Sequence, residues 1–167
     1  TRAGGPVEAA VFTKILLALF GEYHWSGIPS MPVEIMLLPR WSYFNLLEVS
    51  YWSRTVIVPL LILMDEKPVR RPPQGGGVEE LWPIPRARAS LRFRRVPRPF
   101  SPRSFLWKNF FIGVDDCLKS WERVGPRRFR TRAIEAARRW LEERLAVPGG
   151  LGGIFPAMTN AVLALHT

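Results

Sequence analysis

Prolines set the first limit on what this chain can build. Between Gly27 and Met64 the sequence reads GIPSMPVEIMLLPRWSYFNLLEVSYWSRTVIVPLLILM, an apolar run punctuated by Pro29, Pro32, Pro39 and Pro59. Each proline lacks a backbone donor and fixes its own φ, so the run must break into pieces. Pro32 and Pro39 bracket a short apolar helix from Val33 to Leu38. Asn45 then suits the N-cap of a long helix from about Leu46 to Met64, with Leu46, Val49, Trp52, Val56 and Leu60 along one face and Pro59 forcing a kink or a local adjustment. This much apolar surface beside basic flanks points to a lipid-like ligand or a membrane.

The rest of the chain repeats the pattern of helix and breaker. Phe12, Ile15, Leu16, Leu19 and Phe20 recur at helical spacing between Val7 and Phe20, the stripe of an amphipathic helix facing a core, and Gly21 ends it. Phe111, Val114, Leu118 and Trp121 give the same signal from Phe105 to Val124, closed by Gly125-Pro126. Arg127 to Leu145 reads as a strong helix burying Ile134, Ala137, Leu141 and Leu145, and after Pro148-Gly149-Gly150 a last helix starts at about Ala157. Residues 67–104 differ in kind, being rich in Pro, Gly and Arg, and are expected to form a long irregular loop. With no β alternation anywhere, the class is all-α, with paired helices stacked in a repeat or ring. The 167 residues suit one domain, while the first residue, Thr1, and the apolar final run read as an excerpt of a longer chain.

Several function classes fall away. The single Cys117 excludes an internal disulfide, and with only His24 and His166 no metal cluster of usual spacing can form. The first apolar stretch lacks a basic leader and a cleavage site, and the longest, Val56 to Met64, is too short to span a bilayer, which takes about 20 residues. A net charge of +10 asks for an acidic partner. It concentrates in Arg86, Arg88, Arg92, Arg94, Arg95, Arg98 and Arg103, and again in Arg127, Arg128, Arg130 and Arg132. Beyond Phe93 and Phe100 the first cluster has little aromatic interleaving for base stacking, so anionic lipid headgroups are the favoured partner and nucleic acid is not expected.

Four blocks, MPVEIMLLPRW, SYWSRTVIVPLLIL, FFIGVDDCLKSWE and GLGGIFPAMTNAV, resemble the squalene–hopene cyclases, the bacterial class II triterpene cyclases, in consistent order from about Phe12 to Leu165. The resemblance implies a partial α/α double barrel (α/α toroid) from a two-domain enzyme that sits on one membrane leaflet and converts squalene to hopene or hopanol without a cofactor. It implies a bacterial cytoplasmic membrane location, monotopic on the inner face, and leaves a homodimer open. The chain then represents an internal piece of the N-terminal half. The family's aromatic–Gln repeat survives in degenerate form at Arg138, Arg139, Trp140 and Leu141, with Leu145 in place of Gln and Leu151 in place of Trp.

Asp115-Asp116 imitates part of the family's Asp-x-Asp-Asp acid motif, but Gly113 stands at its first position and the pair precedes the degenerate repeat, whereas the family's acid follows it. A solvated or helix-pairing role is expected for both. Glu34, the one acid in an apolar block, is expected to have a structural partner such as an arginine or a helix end. No catalytic residue is assigned in this segment. Its expected contribution is cavity wall, where aromatic faces stabilise carbocations. By the resemblance Phe12, Ile15 and Phe20 fall where the family's pocket and access-channel residues lie, and Phe155 and Met158 fall in the glycine-rich turn block that borders the cavity, Met158 where some members carry Trp. Trp107 and Phe111 are further candidates, and ordinary core packing competes at all seven positions. A non-catalytic, membrane-peripheral lipid-binding module is the alternative.

Overall fold

The computed structural model describes residues 5–42, 45–73, 76–91 and 102–167. The arginines at 92, 94, 95 and 98 and the phenylalanines at 93 and 100 lie outside them, as does the side chain of Arg103. Every element among the described residues is helical. The α-helices are α1 (Val11–Leu19), α2 (Tyr51–Glu66), α3 (Pro102–Val124), α4 (Arg127–Leu145) and α5 (Phe155–Leu165). Five short 3-10 turns join them, at Gly5–Val7, Trp25–Gly27, Val33–Leu37, Glu79–Leu81 and Arg86–Arg88. The chain is all-α, in agreement with its periodicity.

The helix expected from Leu46 begins instead at Tyr51. Asn45 does cap: its side-chain oxygen accepts from the N–H groups of Leu47 and Glu48 at 2.9 and 3.1 Å. Its amide, however, donates back to the carbonyls of Arg40 and Ser42, knotting a turn that does not propagate. Ser50 is the effective cap, its hydroxyl accepting from Ser53 N–H at 3.3 Å. The 3-10 turn at Val33–Leu37 replaces the short helix, and α3 starts at Pro102, where a missing donor is harmless.

Two compact units emerge. The first comprises Thr1–Ser30 with Lys67–Lys119, the second Met31–Glu66 with Ser120–Thr167. In the second, α2 supplies the core: Val58 and Leu60 to Met64 are all buried, and the helix continues through the buried Pro59. Small side chains let the neighbours come close, Ala133 and Ala137 on α4 and Ala157, Ala161 and Ala164 on α5, all buried. Burying each large aliphatic contributes about 1.5–3 kcal/mol, so the six-residue run of α2 from Pro59 to Met64 dominates this core. The buried stripe of α4 is Ala133, Ala137 and Leu141, rotated from the expected one, since Ile134 is half-buried and Leu145 exposed.

In the first unit the Pro-rich segment after Lys67 is fastened to the end of α1. Arg70 N–H donates to the Leu19 carbonyl at 2.7 Å. The buried Glu22 accepts from Val78 N–H at 3.1 Å and pairs with Arg86. Trp82 stacks on Tyr23 with ring centroids 6.0 Å apart, and the Arg86 guanidinium lies over Trp82. The turn at Gly21, with φ +75°, brings Glu22 and Tyr23 to that segment.

Candidate functional site

The apolar stripe of α1 is split rather than wholly buried. Ile15 is 4% exposed and packs inward with Ala18 and Leu19, while Phe12 and Phe20 are 56% and 53% exposed with Leu16 between them. The physical reason is width: at 100° per residue these five side chains span more than the arc one neighbour can cover, and the buried arc is centred on residues 14, 15, 18 and 19. Residues 12, 16 and 20, one turn apart, form an open apolar ridge. Beside it an open apolar depression of about 430 Å³ is lined by Gly5, Pro6, Ala9, Thr13, Leu17 and Leu81, with Glu8 at its edge. None of the seven candidate residues lines it.

On α3, Trp107 and Phe111 are brought together with Phe110, which the sequence reading passed over. The three rings lie 5.5–6.1 Å apart, stacked or edge-on, and all are more than half exposed. Their spacing at 107, 110 and 111 puts them on one helical face, a signal visible in the sequence. Further along α3, Asp115 accepts the Ser30 N–H at 2.6 Å and pairs with Lys119 at 2.7 Å, and Lys119 donates to the Ser26 carbonyl at 3.0 Å. Asp115 thus ties the 26–30 segment to this helix.

In the second unit Phe155 (79% exposed), Met158 and Val162 form an exposed apolar stripe on α5, opposite its buried alanines. The glycine-rich turn before α5 is clamped by α2: Tyr51 donates to the Gly150 carbonyl at 2.8 Å, and the Trp52 ring fills the space beside Gly152. Trp52, expected on the apolar face of its helix, is half-exposed. Glu34 has the arginine partner expected of it, Arg130 at 3.7 Å, and Arg130 also meets Asp65 at 3.1 Å. Burial pushes the Asp65 carboxyl above its ordinary range, with Arg130 opposing.

On α4 the Arg144 guanidinium stacks over the Trp140 ring, 3.8 Å from its centroid. No group of three or more His, Cys, Asp or Glu side chains that could hold a metal occurs among the described residues. No helix among them is long and apolar enough to cross a membrane. The open patches on α1, α3 and α5 named above are apolar or aromatic.

Comparison with known proteins places the chain in a family. Residues 1–167 match the family described as squalene-hopene cyclase N-terminal domain. The chain is 42% identical to a squalene–hopene cyclase of Schizosaccharomyces japonicus and 40% identical to one of Zymomonas mobilis, in each case over 96% of its length. It is 36% identical to a dammaradiene synthase of Dryopteris crassirhizoma over 98% of its length. It spans about a quarter of these relatives, 24%, 23% and 23% of their lengths respectively. With a match along its whole length and an all-helical fold, this chain belongs to the squalene–hopene cyclase N-terminal domain family.

Proposed function

We propose that this chain is a barrel segment of a squalene–hopene cyclase, an isomerase that protonates squalene and closes it into a pentacyclic hopene or hopanol. The family match over residues 1–167 carries this reading. In it, Phe12, Ile15, Phe20, Trp107, Phe111, Phe155 and Met158 contribute wall to the substrate cavity or its approach, and the proton donor lies outside these residues. Six of the seven are exposed. Aromatic faces there would stabilise the cationic intermediates, and apolar walls would keep water from quenching them. Met158 offers a softer, more adaptable contact than an indole. The exposed side chains of Leu106, Trp107, Phe110 and Phe111 also support an alternative role for this helix, contact with one leaflet of a bacterial cytoplasmic membrane in place of the cavity.

The test is product analysis. The full reading frame containing this chain, supplied with squalene in detergent, should yield a pentacyclic product, and the 167-residue segment alone should yield none. Absence of any cyclised product from the full protein would sink the proposal. Phe12→Ala should lower kcat/KM by about tenfold, the scale of a lost aromatic contact of about 1.4 kcal/mol, and Met158→Trp, which adds an indole, should alter the product distribution.

A further inference from the structure

In the first unit the buried Glu22 holds both ends of one loop. Its Oε2 accepts from Val78 N–H at 3.1 Å and pairs with the Arg86 guanidinium, while its Oε1 lies 3.5 Å from where a β-carbon at Gly77 would stand. Residues 79–85 are thus drawn into a closed loop with a carboxylate at its neck. Within it, Leu81 N–H donates to the Val78 carbonyl at 3.1 Å and Trp82 N–H to the Glu79 carbonyl at 3.0 Å, and Pro83 and Pro85 each fix their own φ. The loop is stiff in itself. Its hold on the rest of the unit is lighter, for none of residues 78–86 is buried. Beyond the neck it meets the Tyr23 ring through Trp82, and the Gly5 turn, where a β-carbon would lie 2.6 Å from Pro83 and 2.7 Å from the Leu81 carbonyl. A stiff segment with few buried contacts opens as a piece.

We propose that the 78–86 loop is a movable wall of the depression beside α1, latched by Glu22. Leu81 is the point of contact: it lines the depression, and every other lining residue falls within residues 5–17. With the neck closed, Leu81 stands beside Thr13 and Leu17 of α1 and narrows the depression. Freed at its neck, the loop lifts Leu81 away and the depression widens along α1, while α1 keeps its seat through the buried Ile15, Ala18 and Leu19. The latch is polar and partly open to water, the Arg86 side chain being 34% exposed, so it can be undone without disturbing that core. Long connections with little secondary structure of their own commonly serve as lids of this kind.

Thiol labelling in the full reading frame tests this, with Cys117 and any further cysteine changed to serine. A single thiol is then introduced by Leu17→Cys inside the depression, or by Val11→Cys at an exposed position of α1 outside it. Fluorescein maleimide should modify position 17 at least about tenfold faster when Glu22→Ala is added, since the neck then loses a hydrogen bond and an ion pair to one charged group. Arg86→Gln, which frees one end only, should raise the rate by a smaller factor. Position 11 should react at the same rate in all three backgrounds. If Glu22→Ala does not fold, Arg86→Gln decides alone. An unchanged rate at position 17 in either variant overturns the proposal, and so does an equal rise at position 11, which would mean that α1 itself has loosened. Cyclisation of squalene plays no part in these rates.

Discussion

The ring of Trp52 occupies the space into which a side chain at Gly152 would project, since a β-carbon there would lie 2.7 Å from the indole. Gly152 also holds φ at +78°, in the left-handed region that favours glycine. The start of α2 and the turn that launches α5 are fixed to each other at this point, with the Tyr51–Gly150 hydrogen bond as a second tie. Whatever α5 presents on its open face, its position depends on this contact between residues one hundred positions apart.

Gly152→Ala should therefore destabilise strongly. The left-handed backbone costs about 1–2 kcal/mol for alanine, and the overlap with the ring adds about 1–3 kcal/mol. Urea unfolding should show a loss of about 2–5 kcal/mol. Trp52→Ala in the same chain should return the overlap part but not the backbone part, so the double variant should lose less than the two single losses together. A strictly additive result would mean that the ring moves aside.

A second expectation concerns α2. Leu61 is fully buried, and its truncation to alanine should cost about 2–5 kcal/mol, the range for a large side chain lost from a core that cannot collapse. Val162→Ala on the open face of α5 should stay within about 0.5 kcal/mol in this chain. Equal effects at the two sites would contradict the division of buried and open faces described above.

How far the sequence foretold this molecule depends on how local the deciding interaction is. The helix at 127–145 was readable because Pro126 and its amphipathic pattern both mark it, and the family was readable from four ordered blocks. The start of α2 was not, because Asn45 and Ser50 both make capping hydrogen bonds and only packing selects between them. On α1 the apolar stripe was legible but not which half would be buried, since that depends on neighbours and not on period. The seven candidate positions could be named from the blocks, whereas the grouping of Trp107 and Phe111 with Phe110 and the seating of Trp52 on the glycine turn came only with the fold. Trp52–Gly152 and Glu22–Val78 join residues far apart in sequence, and no periodicity encodes such pairs.

Glu22 offers a direct test of the fastening of the Pro-rich segment. In Glu22→Ala the Val78 N–H loses its acceptor and Arg86 its counter-charge, each left partly buried. A hydrogen bond to a charged group contributes about 1.5–3 kcal/mol, so exchange at the Val78 amide should accelerate by at least about tenfold. Limited proteolysis should cut residues 67–91 sooner than in the wild type. Glu22→Gln, which keeps an acceptor but no charge, should fall between the two. A wild-type cleavage pattern in Glu22→Ala would mean that Tyr23 and Trp82 hold the segment without it.

Tyr23 predicts the alkaline behaviour of the same unit. Its ring is buried between Trp82 and the backbone of Gly27, and burial raises its hydroxyl above the ordinary value of 10.0. The folded chain therefore keeps a proton that the unfolded chain gives up. The resulting contribution is fully present below pH 10.0 and is lost as pH rises through the raised value. Tyr23→Phe keeps the stacked ring and gives up only a long hydrogen bond to the Gly27 carbonyl, 3.5 Å, so near neutrality it should change stability by no more than about 1 kcal/mol. Between about pH 8 and about pH 11 the urea midpoint of the wild type should fall more steeply than that of the variant. Parallel curves would show that the hydroxyl reaches solvent in the folded state, and the Tyr23–Trp82 stack would then be a surface contact.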